Sequence, residues 1–264
     1  MAFAKLSDAQ LFYQWEGPQG APVVVFSNSL GATHRMWDSQ VEEFTKHFRV
    51  LRYDSRGHGQ SSVTPGNYNV AQLANDVIQL LDELKIERVF FCGLSIGGMV
   101  GMQLALTAAS RVHKVVLCNT AAKIGTVATW SARITAVQEG GMRAIAGAVI
   151  DRWLTAGWRA AHSGETARVQ QMLESTEAGG YVATCAAVRD ADFREKLQGI
   201  KTPTLIISGT HDLATTPADG QFLEGKIRGA RYVELSSAHL SNIEARDDFN
   251  RTVLGFLKSQ GAHG

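Results

Sequence analysis

The sequence predicts an α/β fold built on a mostly parallel sheet. Short runs of apolar residues, typical of strands that are buried on both faces, alternate with longer segments in which apolar residues recur at helical spacing. The alternation starts at residue 22, stops between residues 122 and 190, and resumes near residue 203. Strands that alternate with helices favour parallel pairing through right-handed crossovers. In such a sheet the chemistry lies at the carboxyl ends of the strands.

The first segments of the chain predict a hairpin followed by the first buried strands. Strand-like residues 3–6 and 10–15 flank a short polar turn, which indicates an antiparallel hairpin. Residues 22–26 form a continuous apolar run and residues 48–53 another, with a helix-like segment at 34–47 between them. The parallel part of the sheet is therefore expected to begin after the hairpin.

The most informative stretch is a predicted strand, a sharp turn and a helix over residues 89–109. A β-branched and aromatic run is broken by Gly93, and Ser95 and Gly97 complete the pattern Gly-x-Ser-x-Gly before a long segment of small and apolar residues. A serine on such a turn needs a strained backbone with room for neighbouring chain on both sides, which the glycines supply. The pattern predicts that Ser95 is a nucleophile at the start of a helix, where the first amides stabilise negative charge.

Two further polar side chains come shortly after predicted strands. The remaining helices and strands are expected at residues 70–84, 112–117, 203–208, 230–235 and 243–257. Asp212 and His239 follow the strands at 203–208 and 230–235. Serine, aspartate and histidine in this chain order are typical of enzymes whose serine lies on such a turn. In that arrangement His239 takes the proton of Ser95, and Asp212 orients the imidazole.

A polar loop at residues 27–31 follows the first buried strand and contains Leu30. If this loop lies beside Ser95, the backbone N–H groups of Leu30 and Ile96 form an oxyanion hole, a pair of donors that stabilises the negative oxygen of a tetrahedral intermediate. Backbone amides do this work, so the side chains of the loop carry little information about it.

Three other polar residues near these motifs are interpreted as non-catalytic. His58 lies in a loop, residues 54–62, that is dense in groups able to hydrogen-bond locally, and is interpreted as a loop-stabilising imidazole. Asn119 ends the strand after the serine helix, but an amide cannot stabilise an imidazolium as a carboxylate does. His211 adjoins Asp212 and is interpreted as a spectator, because adjacent side chains in a strand-end loop point in different directions.

The rhythm of strands and helices changes between residues 122 and 190. This segment lacks strand-like runs and contains helix-compatible stretches separated by glycines, with three tryptophans among them. The pattern predicts a helical cap that lies over the strand ends and shapes a substrate pocket. The expected division is a core of residues 1–121 and 191–264 and a cap of residues 122–190.

Composition and charge argue against several classes of function. The 264 residues carry a formal net charge of +1, which gives no reason to expect a nucleic-acid partner. Apolar runs are too short to span a bilayer, and the first residues lack the pattern of an export signal. The three cysteines are too few for a disulfide framework and show no zinc-ligand spacing. These features predict a cytoplasmic protein with no metal and no membrane partner.

Six motifs spread over nearly the whole chain resemble those of one enzyme family. They are FSNSLG, RYDSRGHGQS, FCGLSIGG, LCNTAAKIG, ISGTHDLATTP and YVELSSAHLSNIE. Together they resemble the 3-oxoadipate enol-lactonases of the α/β-hydrolase superfamily, the lactone-opening enzymes of aromatic-compound breakdown. The resemblance implies an α/β-hydrolase fold with an eight-stranded sheet and a helical cap, no cofactor, and a small anionic lactone as substrate. Ile96 stands where many relatives have Met, but its amide serves equally.

A substrate with a free carboxylate needs a partner for that charge in the cap. Arg133 lies one helical turn from Trp130 in the first cap segment. A guanidinium binds a carboxylate through two hydrogen bonds, and an indole walls a ring and donates its N–H. Our hypothesis is that Arg133 and Trp130 contact the substrate; the alternative is that Arg133 is a solvated helix residue.

Other functions on the same scaffold stay open. A carboxylesterase, a perhydrolase-type haloperoxidase or a C–C bond hydrolase of ring-cleavage products uses the same three side chains, so only the pocket distinguishes them. A haloalkane dehalogenase is disfavoured, because it uses a carboxylate nucleophile where this chain has Ser95. In a different class, a ligand sensor keeps the three side chains but turns over slowly.

Overall fold

The computed structural model describes residues 2–259, and the strands in this part of the chain form one eight-stranded sheet. They are β1 (Ala2–Lys5), β2 (Gln10–Glu16), β3 (Val23–Ser27), β4 (Arg49–Tyr53), β5 (Val89–Leu94), β6 (Val112–Cys118), β7 (Thr204–Gly209) and β8 (Arg231–Leu235). Their order in the sheet is β1-β2-β4-β3-β5-β6-β7-β8. The β1–β2 and β2–β4 pairs are antiparallel and the others parallel. The predicted hairpin and mostly parallel sheet are confirmed.

Eleven helices connect or follow the strands in the described part of the chain. They are α1 (Asp38–Phe44), α2 (Val70–Glu83), α3 (Ile96–Thr107), α4 (Val127–Gly140), α5 (Arg143–Trp153), α6 (Ala156–Ala161), α7 (Ser163–Glu174), α8 (Ala178–Asp190), α9 (Pro217–Lys226), α10 (Ser241–Glu244) and α11 (Arg246–Lys258). A 3-10 helix, His34–Trp37, precedes α1. Within residues 2–259 no helix is both long and apolar enough to cross a bilayer.

The central strands bring the loops that carry Ser95 and Asp212 to one edge of the sheet. β3, β5, β6 and β7 are almost completely buried, as their continuous apolar sequences predict. At their carboxyl ends Ser27 pairs with Gly93, and Leu94 pairs with Cys118. The loops that leave β3, β5, β6 and β7 therefore start from one edge of the sheet. Ser95 and Asp212 lie in two of these loops.

Helices α4 to α8 fill residues 127–190 between β6 and β7, where the sequence predicts an insertion. They contact loops at the carboxyl ends of the strands: the Thr176 hydroxyl donates to the Gly31 carbonyl at 3.1 Å, and the Leu240 N–H donates to the Trp153 carbonyl at 3.0 Å. These helices therefore cover that edge of the sheet. The division into a core and a cap of residues 122–190 stays a prediction, and its outermost residues, 1 and 260–264, lie outside the described residues.

The closing helix differs from the prediction. In place of one helix over residues 243–257, α10 and α11 are separated at Ala245, whose φ is −113°. The Glu244 carboxylate accepts hydrogen bonds from the N–H groups of Ala238 at 2.8 Å and of Thr155 at 3.3 Å. These contacts hold α10 against the α5–α6 connection and the loop after β8, which a helical spacing of apolar residues does not encode.

Candidate active site

Ser95 lies at the turn between β5 and α3 in a strained backbone conformation. Its φ and ψ are 60° and −117°, a combination that few residues other than glycine adopt. A Cβ atom on Gly93 would lie 2.0 Å from the carbonyl oxygen of Gly97, and one on Gly97 would lie 2.4 Å from that of Ser27. The two glycines of the sequence pattern therefore mark two close approaches of backbone to backbone.

Two hydrogen bonds to the end of β6 fix this turn. The Ser95 N–H donates to the Cys118 carbonyl at 2.9 Å, and the Thr120 hydroxyl donates to the Ser95 carbonyl at 2.7 Å. Strain of about 1–3 kcal/mol at one residue persists only where the surrounding structure over-determines it, as these bonds do. Ser95 itself is largely buried.

Asp212 and His239 form a buried hydrogen-bonded pair after β7 and β8. His239 Nδ1 lies 2.8 Å from Asp212 Oδ2. Asp212 also accepts from the N–H groups of Ala214 and Thr215, at 2.8 and 3.0 Å, and from the Thr215 hydroxyl at 2.7 Å. Burial by itself raises the pKa of Asp212, but the charge and hydrogen bond of His239 and the Thr215 bonds outweigh it and lower that pKa to about 2. Asp212 is therefore a carboxylate that favours a proton on His239 Nδ1.

The Ser95 hydroxyl is not hydrogen-bonded to this pair. The ring of His239 contacts Asp212 and Thr215, and within residues 2–259 no hydrogen bond joins it to Ser95. Such bonds in free enzymes are often long and shorten when substrate binds. The two parts are linked through the end of β6, because Cys118 bonds the Ser95 backbone and Asn119 bonds Asp212.

Asn119 connects the candidate acid to the loop that carries His239. Its Nδ2 donates to Asp212 Oδ2 at 3.1 Å and to the Ala238 carbonyl at 3.2 Å, while its Oδ1 accepts from the Ser241 hydroxyl at 2.5 Å. Asn119 is completely buried and has a φ of 44°. Sequence reasoning considered Asn119 only as a replacement for the acid and missed this supporting position; its place directly after β6 was the available signal.

The loop after β3 has the geometry of a tight turn around Leu30. The Ala32 N–H donates to the Ser29 carbonyl at 3.1 Å, and Gly31 has a φ of 82°, close to the value that the third residue of a type II turn requires. Leu30 is the second residue of this turn, and Ile96 is the first residue of α3. Within residues 2–259 neither the Leu30 N–H nor the Ile96 N–H donates a hydrogen bond. Both predicted donors are thus without a hydrogen-bond partner in the described part of the chain.

His58 holds the same turn from the side. Its Nε2 accepts a hydrogen bond from the Gly31 N–H at 2.9 Å, and its Nδ1 lies 3.2 Å from the Arg56 carbonyl. Burial lowers the pKa of His58, in keeping with a neutral ring whose Nε2 is an acceptor. The interpretation of His58 as a loop-stabilising imidazole is confirmed. His58 bonds two loops, its own and the turn at residues 29–32.

Arg133 and Trp130 lie together on α4. The guanidinium carbon is 4.8 Å from the centre of the Trp130 ring, a cation–π contact. Arg133 is half-buried, and within residues 2–259 it forms no ion pair. The Trp130 indole N–H, which the sequence hypothesis gave to the substrate, donates to the Ile124 carbonyl at 2.7 Å. In this structure only the ring of Trp130 is available for contact with a ligand.

Tyr181 on α8 lies between Arg133 and the Leu30 turn. Burial raises the pKa of the Tyr181 phenol well above its usual range, while the neighbouring Arg133 opposes that rise. The ring of Tyr181 would lie 3.0 Å from a Cβ atom on Gly31. Arg133 therefore lies on the side of α4 that faces the turn, a relationship that the sequence did not indicate.

Two observations show what the candidate site does not contain in the described part of the chain. A surface groove of about 1190 Å³, between residues 33–39, 158–175 and 243–248, does not include Ser95, Asp212 or His239. In the described part of the chain, no group of three or more His, Cys, Asp or Glu side chains is placed to hold a metal ion.

A strained serine after β5 and a buried Asp–His pair after β7 and β8 are typical of α/β hydrolases. Residues 22–245 match the model of the α/β hydrolase fold family, and the chain belongs to that family. The predicted fold class is thereby confirmed.

Within the family, the chain is similar to named lactonases. It is 40% identical to 3-oxoadipate enol-lactonase 1 of Acinetobacter baylyi over 94% of this chain and 93% of that protein. The crystal structure of the enol-lactonase from Burkholderia xenovorans LB400 superposes with a TM-score of 0.97 at 46% identity, covering 98% of this chain and 100% of that one. A putative carbamate hydrolase of Serratia proteamaculans is 30% identical over 92% of this chain and 93% of its own length. The predicted resemblance to the enol-lactonases, and with it the prediction of a hydrolase, is confirmed.

Proposed function

We propose that this chain hydrolyses 3-oxoadipate enol-lactone to 3-oxoadipate in aromatic-compound degradation, through an acyl-enzyme on Ser95. The observation that carries the proposal is the buried Asp212–His239 pair, 2.8 Å apart, at the same sheet edge as the strained Ser95 turn. The 40% identity to enzymes named for this reaction supports the choice of substrate. A cytoplasmic setting stays a prediction.

In the first step His239 takes the proton of Ser95 while the serine oxygen attacks the lactone carbonyl. A serine hydroxyl is a weak nucleophile until a base accepts its proton. The imidazolium that forms is stabilised by Asp212, whose lowered pKa keeps it ionised at neutral pH. Because Asp212 holds Nδ1, the Nε2 atom of His239 is the one left to face Ser95.

The carbonyl oxygen becomes negative in the tetrahedral intermediate. The N–H groups of Leu30 and Ile96 then donate to it, and the Ile96 amide adds the favourable field of the α3 N-terminus. Both donors are held in place before the reaction, so little reorganisation is needed when charge develops.

Collapse of the intermediate breaks the ring C–O bond and expels an enolate, which takes the proton that His239 received from Ser95 and becomes the ketone. An enolate is a better leaving group than an amine. It remains attached to the acyl chain, so no product leaves at this stage. His239 then activates a water molecule that attacks the ester of Ser95, and 3-oxoadipate is released.

The carboxylate of the substrate is bound by Arg133 in this proposal. The half-buried Arg133 guanidinium has no ion-pair partner within residues 2–259, and a guanidinium binds a carboxylate through two hydrogen bonds. The Trp130 ring, whose centre lies 4.8 Å from the guanidinium carbon, forms a wall for the lactone. Tyr181 lies between this pair and the Leu30 turn, so carboxylate and carbonyl are bound on the same side of the cap.

A substrate panel tests this function against its alternatives. The purified chain is given the anionic enol-lactone, a neutral aryl ester, a carbamate and a C–C ring-cleavage product at equal concentrations. The proposal requires kcat/KM to be highest for the enol-lactone. A higher value for another substrate identifies one of the other hydrolases, and slow turnover of every substrate with tight binding of one indicates a ligand sensor.

A further inference from the structure

We infer that His58 and Thr176 are positioning residues of the oxyanion hole, which fix Gly31 from two sides and thereby aim the Leu30 N–H at the reacting carbonyl. The inference rests on the proposed serine chemistry but not on the identity of the ester. It gives His58 a part in setting the reaction rate, and it assigns the cap a part in catalysis besides closing the pocket.

The direction of the Leu30 N–H depends on Gly31 through the hydrogen bond that closes the turn. The Leu30 N–H belongs to the Ser29–Leu30 peptide unit, whose carbonyl accepts from the Ala32 N–H. Gly31 is the third residue of the turn, with a φ of 82°, and its two peptide planes are free to rotate unless other groups hold them. The Ala32 N–H belongs to the peptide unit that follows Gly31, so a rotation of that unit would also move the Ser29–Leu30 unit that it holds. Contacts from elsewhere in the chain must therefore fix this residue.

His58 fixes the peptide unit that precedes Gly31. Its Nε2 accepts from the Gly31 N–H at 2.9 Å, so the Leu30–Gly31 peptide plane is tied to the loop after β4. That loop is itself rigid: the Asp54 carboxylate accepts from the Gln60 N–H at 2.9 Å, and the Gly57 N–H donates to the Ser62 carbonyl at 2.9 Å. A buried imidazole on a rigid loop is a fixed acceptor for the turn.

Thr176 fixes the peptide unit that follows Gly31, and it does so from the cap. Its buried hydroxyl donates to the Gly31 carbonyl at 3.1 Å. The cap also contacts the His58 loop directly, because a Cβ atom on Gly57 would lie 2.8 Å from the Cα of Gly180 in α8. His58, the turn and the cap are therefore packed as one unit, and the side chains of Leu173 and Tyr181 close the space beside Gly31.

The consequence concerns the transition state more than the bound substrate. A displacement of about 1 Å in a catalytic group can cost about a hundredfold in rate. The Leu30 N–H acts on the negative oxygen that develops during attack, so its misplacement lowers the rate of acylation and leaves ester binding nearly unchanged.

The test uses p-nitrophenyl acetate, a neutral ester, and measures the acylation rate constant and the binding constant separately by stopped-flow. His58→Leu removes the acceptor, and His58→Gln places an amide oxygen near the position of Nε2. Thr176→Val removes the cap hydroxyl. Thr184→Val is the matched control, because Thr184 is a buried threonine of α8 whose hydroxyl donates to the Gly180 carbonyl of its own helix at 2.8 Å.

We expect acylation to fall about a hundredfold in His58→Leu and about tenfold in Thr176→Val, and to stay near the wild-type rate in Thr184→Val. His58→Gln recovers most of the loss. A boronic acid, whose serine adduct carries the negative oxygen of the intermediate, binds each variant more weakly by a similar factor, while the binding constant of the ester does not change.

Wild-type acylation rates in both His58→Leu and Thr176→Val overturn the inference, as does a loss that appears in ester binding alone or that Thr184→Val shares. If His58→Leu does not fold, Thr176→Val and the boronic acid carry the test. A wild-type chain that hydrolyses p-nitrophenyl acetate but not the enol-lactone refutes the proposed substrate. The test of the oxyanion hole remains valid in that case, because it uses p-nitrophenyl acetate alone.

Discussion

Asn119 Nδ2 lies 3.1 Å from Asp212 Oδ2, so that a neutral amide donates a hydrogen bond to the candidate acid. The same Nδ2 reaches the carbonyl of Ala238, one residue before His239. A neutral donor here stabilises the ionised form of Asp212 and holds the histidine loop against it.

Replacement of Asn119 by Asp is expected to reduce kcat/KM about tenfold or more at pH 7. Two carboxylates at this distance cannot both ionise freely, so the pKa of the pair is raised and the acid limb of the pH–rate profile moves to higher pH. The measurement is kcat/KM from pH 4 to 9. Asn69→Asp, at the N-cap of α2, is a control in which Asp replaces Asn without loss of the cap. An unchanged profile in Asn119→Asp contradicts the prediction.

The lowered pKa of Asp212 predicts a stability that depends on pH. Its folded-state pKa is about 2 against 3.8 for the unfolded group, so its contribution is complete above about pH 4 and is lost as the pH falls toward 2. The shift corresponds to about 2 kcal/mol. Urea unfolding between pH 5 and 2 should show a larger loss of unfolding free energy for wild type than for Asp212→Asn by about that amount. An equal loss of unfolding free energy in the two proteins between pH 5 and 2 would rule out this linkage.

Replacement of Gly97 by Ala is expected to destabilise the fold. The new Cβ atom would lie 2.4 Å from the carbonyl oxygen of Ser27, so β3 and the serine turn must move apart, at a cost of about 1–3 kcal/mol. Gly147→Ala is the control, because Gly147 lies in α5 with no neighbouring atom within 4 Å and gains helix propensity. Thermal unfolding should give a lower Tm for the first variant and an equal or higher Tm for the second. An unchanged Tm in Gly97→Ala would contradict the expected destabilisation.

Replacement of Arg133 by Ala is expected to raise KM for the anionic enol-lactone about tenfold or more, since a charge-assisted hydrogen bond contributes about 1.5–3 kcal/mol. Hydrolysis of a neutral aryl ester should change little. Arg143→Ala is the matched control, because Arg143 is a cap arginine whose side chain is 88% exposed. If Arg133→Ala leaves KM and kcat for the lactone unchanged, or raises KM equally for the lactone and the neutral ester, the carboxylate site lies elsewhere.

Sequence patterns predicted the sheet and the candidate triad because both depend on local order. A nucleophilic turn is encoded in adjacent residues around Ser95, and the positions of Asp212 and His239 follow from the rule that parallel strands end at one edge. The pairing of His239 with Asp212 needed no further information than these.

The supporting contacts could not be predicted in the same way. The bonds of Gly31 to His58 and to Thr176 join residues 27 and 145 positions apart, and they depend on how loops and cap pack together. The use of the Trp130 N–H by Ile124 is a local bond, but helical spacing predicts which face a side chain occupies and not which carbonyl it reaches. The break at Ala245 likewise follows from the bonds of Glu244 to other loops.

The proposed hydrolysis by Ser95 is measured most directly through the ultraviolet absorbance of 3-oxoadipate enol-lactone. Wild type and Ser95→Ala are compared side by side, and each is checked for folding by its Tm. We expect rapid loss of absorbance with wild type and a rate at least about 10⁴-fold lower with Ser95→Ala, because the base and acid have no nucleophile to activate. No turnover by a folded wild-type chain contradicts the proposed substrate, and equal turnover by both proteins contradicts Ser95 as the nucleophile.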